Sequence, residues 1–384
     1  MRWWMNAVLV VGVVLGMATA GGGQQKLKAG FIYVGPIGDY GWTRAHDDAR
    51  KIAAKNFPWL ETLYVESVPE GEVETFIDLM VRQGAQVIFT TSFGYMDGTL
   101  KAAARYPDII FAHASGFQRA ANVATYMADF YQLYYLNGLM AGALTKSGKV
   151  GYVGAFPIPE VKRHISAFAL GVREVHPTAE VHVRWIFNWF NPAAAKEATE
   201  ALIAEGVDVF AFTEDSPTVV QVAAKRGLAS FGHYSPMHDF APEHAVSGQL
   251  VHWDKIYNDF FAKVHAGTYT SKNLQEVDYW WLLAEGAVEL GAKPGLPINP
   301  AYVDKLKAVH ITGATSGNIS VYDLVQQRLQ QMSQKPPTFD PFQGPITDRK
   351  GVVQVAAGKI MSLQELISME WAAPGVVGPW PNEP

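Results

Sequence analysis

Residues 84–91 read Gly-Ala-Gln-Val-Ile-Phe-Thr-Thr, and residues 206–213 read Gly-Val-Asp-Val-Phe-Ala-Phe-Thr. Each octet follows an amphipathic helical stretch (Val73 to Arg82, Ala193 to Ala204) and precedes a polar loop. A glycine at a helix end, then a short apolar run, predicts a buried strand of a parallel sheet. Upstream of the first octet lie a strand at Lys28 to Val34, a helix at Trp42 to Asn56 and a short strand at Leu63 to Glu66. A helix over Met96 to Arg105 and a strand at Ile109 to His113 follow it. Upstream of the second lie a helix over Phe130 to Thr145 and a strand at Lys149 to Gly154, then a helix at Val161 to Val175 and a strand at Val181 to Ile186. Each octet is therefore the third strand of a βαβαβ half, and the fold class is α/β with two doubly wound parallel-sheet lobes. A generic helix–glycine–strand junction gives the same repeat by convergence, so the repeat counts as support rather than proof.

Past Ala245 the alternation loosens. A strand at Val246 to His252 and a helix at Asp254 to Ala266 precede a Pro/Gly-rich segment, Ala292 to Pro300. The tail carries turn signals and one short helix, Leu363 to Met369. Too poor in periodic segments to fold alone, it is expected to pack on a finished domain.

Composition narrows the function. The 384 residues include no cysteine, which removes disulfides, thiolate chemistry and a lipoprotein anchor. A formal charge of −5 supplies no electrostatic footprint for nucleic acid or an anionic membrane. Residues 1–20 combine Arg2, an apolar run from Asn6 to Met17 and Ala18-Thr19-Ala20, the pattern of a secretory signal. The expectation is an exported protein in the periplasm or at the cell surface; an uncleaved anchor is the alternative.

Chemistry-bearing residues gather at strand ends, where open parallel sheets bind ligands. Gly35-Pro36-Ile37-Gly38-Asp39-Tyr40-Gly41-Trp42 lacks the dinucleotide and P-loop spacings but offers backbone access, a carboxylate and a stacking face. The alternative is a glycine-rich turn with Trp42 in the core. Phe93 and Asp97, Phe156, Trp189 and Asp215 occupy the corresponding loops, and aromatic planes with carboxylates suit a flat neutral heterocycle. Any one aromatic can equally be core, and Asp97 or Asp215 a helix N-cap. His233, His238, Asp239 and His244 match no zinc spacing and read as a solvated loop; Asp47 and Asp48 read as a solvated helix face. No catalytic constellation, metal site or cofactor motif emerges.

Three blocks carry a wider likeness: GFIYVGPIGDYGWTRAHDDAR (30–50), KSGKVGYVGAFPIPEVKRHISAFALG (146–171) and MSLQELISMEWAAPGVVG (361–378). Through them the chain resembles the BMP family of substrate-binding components of ABC importers, and Phe156 to Val161 resembles its purine-handling branch. The resemblance implies a type I periplasmic-binding fold with three hinge crossovers. Lobe 1 is then 26–146 plus about 253–283, and lobe 2 is 147–252 plus about 284–384. It implies a monomer that delivers its ligand to an inner-membrane permease. Trp42 matches the family's first stacking aromatic, Asp97 its base-reading aspartate and Trp189 its second stacking aromatic. Tyr234 stands where nucleoside binders carry a ribose-binding aspartate, and Val251-His252-Trp253 where they carry a lysine. That loss favours a free base, adenine first, with a nucleoside or flavin as the alternative and a nucleoside-processing enzyme behind both.

Overall fold

The computed structural model describes residues 26–313 and 317–383, so the signal segment 1–20 lies outside the described residues. The first sheet contains β1 (Leu27–Tyr33), β2 (Leu60–Val65), β3 (Val87–Thr91), β4 (Ile110–Ala114) and β5 (Val123–Ala128). Between them run helices α1 (Trp42–Asn56), α2 (Val73–Arg82) and α3 (Met96–Arg105). The second sheet is built from β6 (Lys149–Gly154), β7 (Glu180–Trp185), β8 (Val209–Thr213), β9 (Ala229–Gly232) and β10 (Ala245–Val251). The two opening octets become β3 and β8, each wholly buried and each beside the first strand of its sheet. Gly84 and Gly206, at φ 85° and 89°, turn the chain from helix into strand through a conformation that only glycine adopts without strain.

The chain crosses between lobes three times. The first crossing leads from β5 into α4 (Tyr131–Leu144), which packs along α5 (Pro159–Val175) and beneath β10. It therefore falls at Asp129–Phe130, before the helix, rather than at 146. The reason is legible in the side chains. Almost every residue of α4 is buried, and Gly138 and Gly171 let α4 and α5 touch backbone to backbone: a Cβ on either would lie 2.2 Å from a carbonyl oxygen of the other helix. The second crossing runs from β10 to α8 (Trp253–His265), which lies on α1. The third runs from β11 (Asp278–Trp281), at the edge of the first sheet beside β5, to β12 (Val288–Leu290), antiparallel to β10. All other pairings in the two sheets are parallel, in the orders β11-β5-β4-β3-β1-β2 and β12-β10-β9-β8-β6-β7, with the C-terminal strand Val376–Val377 added beside β7. The tail packs as expected, burying Phe342, Trp371 and Trp380 in the core.

One buried charge cluster sits at the first crossing. Asp129 accepts from the Tyr131 amide (2.9 Å), pairs with Arg163 and lies 3.4 Å from His164. Arg163 also donates to the Leu366 carbonyl (2.6 Å) and lies over the Trp280 ring, so one guanidinium ties together two crossings and the tail. Asp47, read from sequence as solvated, is instead buried against Arg50, Lys51 and Tyr33.

Candidate functional site

The carboxyl ends of both sheets face one cleft, which holds about 360 Å³ of space unfilled by atoms, open solvent at its mouth included. The first lobe contributes Val34, Trp42, Ser92, Phe93 and Ser115; the second contributes Glu160, Trp189, Thr213, Glu214, Asp215, His233 and Tyr234. Of the residues expected from sequence, Trp42, Phe93, Trp189, Asp215 and Tyr234 meet here.

Trp42 opens α1 directly beneath the cleft. Its indole Nε1 donates to the Thr91 carbonyl (2.6 Å), and its ring meets Tyr234 edge-on at 5.4 Å and Trp253 at 5.5 Å. It is both core and cavity wall, so neither sequence reading excluded the other. Trp189, half-buried on the opposite lobe, leans on Phe156 at 5.1 Å. Phe156 lines the adjoining mouth rather than the cavity itself.

Asp215 does serve a helix N-terminus, but that of α1 across the cleft: its Oδ1 accepts the Trp42 amide at 2.9 Å. Asp39 lies behind the cavity and accepts from the amides of Gly41 (2.8 Å), Thr43 (3.0 Å) and Arg44 (3.0 Å). Two carboxyl groups, one from each lobe, thus share the positive end of one helix. Gly41 makes the approach possible, since a Cβ there would lie 2.4 Å from Asp215 Oδ1 and 2.5 Å from its Cα. Burial pushes the Asp39 carboxyl up to about 6, and burial followed by the charge of Asp39 raises Asp215 well above the ordinary carboxylate range.

Besides Asp39 and Phe156, two more expected positions stand outside the cavity lining. Tyr40 is 40 % exposed and packs edge-on against Phe240 of the other lobe at 5.1 Å. Asp97 is exposed on the first turn of α3 and does not reach the cleft, because the Phe93–Tyr95 turn intervenes between β3 and the helix.

Three ionisable residues that line the cavity were not singled out from sequence as ligand contacts. Glu160 begins α5, buried, and accepts from the Tyr234 hydroxyl at 3.1 Å. Glu214 is buried and held by the Ser216 amide and hydroxyl at 2.9 and 3.0 Å. Burial raises both carboxyls, Glu214 strongly. His233, read as part of a solvated loop, is wholly buried: the segment after β9 turns inward, with Tyr234 at φ 59°. The missed signal was position, since Glu214 and His233 each directly follow a buried strand. No lysine or arginine is among the described residues lining the cavity, so its carboxyls lack a cationic partner there. An uncompensated buried carboxyl is costly unless a ligand supplies donors. No cluster of residues suited to a metal ion occurs among the described residues.

Two lobes, three crossings and a cleft closed by contacts from both sides define a solute-binding protein of the periplasmic-binding fold. A solute-binding protein of an ABC transporter from Aeropyrum pernix superposes with a TM-score of 0.66 at 20 % identity, covering 80 % of this chain and 91 % of that one. Residues 26–322 match the family of ABC transporter substrate-binding proteins described as PnrA-like, and the chain belongs to that family. A purine-binding protein of Brucella abortus is 37 % identical over 97 % of this chain and 98 % of its own length. A putative ABC transporter glucose-binding protein of Haloferax volcanii is 39 % identical over 71 % of this chain and 68 % of its own. The family binds and hands over solutes; it is not a family of enzymes.

Proposed function

We propose that the protein captures a free purine base, adenine before others, between its lobes and delivers it to a membrane permease after export. The carrying observation is the cavity's pairing of stacking rings with buried carboxyls. Trp42 and Trp189 line it from opposite lobes, and Glu160, Glu214 and Asp215 line it with no lysine or arginine among the lining residues. Stacking contributes about 1–3 kcal/mol per ring and tolerates any flat heterocycle. The carboxyls then accept the hydrogens of an amino group at the purine 6-position, where the keto oxygen of an oxopurine has none to give. Recognition of the base edge falls to these groups rather than to Asp97. Tyr234 stands where nucleoside binders of the family carry a ribose-binding aspartate, and its hydroxyl is committed to Glu160. The Brucella relative is a purine-binding protein, which supports the purine part of this reading.

Mass spectrometry of the small molecule that copurifies, followed by calorimetric titration of adenine, guanine, adenosine, riboflavin and glucose, tests it. Tight adenine binding with weak adenosine binding is the expected result. Preference for glucose or riboflavin, or no purine binding at all, would remove the base reading and leave the fold untouched.

A further inference from the structure

His233 carries an argument of its own, fixed by its neighbours. The Tyr134 hydroxyl donates its one proton to the Phe212 carbonyl at 2.5 Å, an oxygen that can only accept. His233 Nδ1 lies 2.8 Å from the same hydroxyl oxygen and 3.3 Å from Gln249 Oε1, another acceptor. Between two acceptors, Nδ1 must carry a hydrogen. The ring is wholly buried among Phe130, Phe212 and Tyr234, which disfavours a second proton, and its pKa is held well below the ordinary histidine value by burial. Nε2 is therefore a bare lone pair. It is buried with no partner, on a residue that lines the ligand cavity. A buried acceptor without a donor costs roughly 1–3 kcal/mol, a penalty that a ligand N–H relieves.

We infer that His233 Nε2 accepts the five-membered-ring N–H of a free purine base and so selects bases over nucleosides. The inference rests on the purine reading above and extends it. A free purine bears one ring N–H on its imidazole half; in a nucleoside that hydrogen is replaced by the bond to the sugar. Stacking rings and carboxyls cannot make this distinction, because the six-membered edge is the same in both. A lone-pair acceptor can, since a site built for an N–H rejects the analogue lacking it far more strongly than an apolar pocket rejects a methyl group.

Calorimetry compares adenine, 9-methyladenine and adenosine on the wild type, His233→Phe and His233→Gln. The wild type is expected to favour adenine over 9-methyladenine by at least about 30-fold. His233→Phe should bring that ratio to within about threefold, and His233→Gln, whose amide oxygen can accept, should restore part of it. An undiminished ratio in His233→Phe would overturn the inference. Nitrogen NMR of histidine-labelled protein decides the tautomer without any ligand: a hydrogen on Nδ1 and none on Nε2 of His233 is expected, and the reverse would overturn the inference even if both variants misfold. Failure of the wild type to bind any purine would instead bring down the base reading, and with it this assignment of the N–H.

Discussion

Gly41→Ala tests whether the lobes close as described. Its new methyl group would lie 2.5 Å from Asp215 Cα and 2.4 Å from its Oδ1, and the Cα, being backbone, cannot swing aside. Ordinary contact between such atoms begins about 1 Å farther out. The lobes must stop short by that much, which stretches the Trp42 N–H to Asp215 bond from 2.9 Å to roughly 4 Å, beyond hydrogen-bonding reach. Losing that bond costs about 0.5–1.5 kcal/mol, or about 2- to 13-fold in affinity. Because the clash is with the opposite lobe, the open form is spared. Calorimetry on the variant should show that loss, while its ligand-free melting temperature shifts by no more than the few degrees that about 1 kcal/mol at a helix N-cap produces. Gly38→Ala, in the same loop with nothing within 4 Å, is the control and should bind as wild type. Wild-type affinity in Gly41→Ala would refute the closed geometry.

Three further outcomes follow from the same contacts. Trp189→Ala should weaken binding at least about tenfold and leave stability nearly intact. Trp42→Ala should also destabilise by about 3–5 kcal/mol, because that indole is packed on all sides; equal melting temperatures in the two variants would contradict this. Opening the cleft hydrates Asp39 and Asp215, so their raised pKa values belong to the closed form, and protonation favours closure. Affinity should be greatest near the ordinary carboxylate value of 3.8 and fall as pH rises through about 6, where Asp39 loses its proton in the closed form, with Asp215 extending the fall to higher pH. Asp39→Asn should flatten a calorimetric pH series, and an unchanged slope would exclude the pair as its origin. Arg163→Met strands the Asp129 carboxylate in the interior and should cost about 3–5 kcal/mol in urea denaturation; a loss below about 1 kcal/mol would mean that His164 and the Tyr131 amide suffice.

The helices with clear amphipathic periodicity could be read from sequence to the residue: Trp42–Asn56, Val73–Arg82 and Met96–Arg105 begin and end where expected. Strands β5, β9, β11 and β12 were not, because segments this short show neither alternation nor length. The first crossing was misplaced for a related reason. A helix apolar on every face, as α4 is, carries no mark of which lobe it joins; only the glycine contacts with α5 decide. In the site, aromatics and carboxylates at strand ends were legible as types. Which of them point inward depends on the turn after each strand, and that turn put Asp97 outside and His233 inside.

The three crossings also set a timetable for self-assembly. The edge of the first sheet is Asp278–Trp281, and the second gains its last strand only at Val376–Val377. A nascent chain thus leaves the ribosome with the first sheet unfinished until Trp281 and the second until nearly all of the chain has been made. Such long-range strand pairing is slow to nucleate. Trimming the last ten or so residues would therefore do more than shorten a tail: it would leave β7 with a bare edge, open to pairing with another unfinished chain.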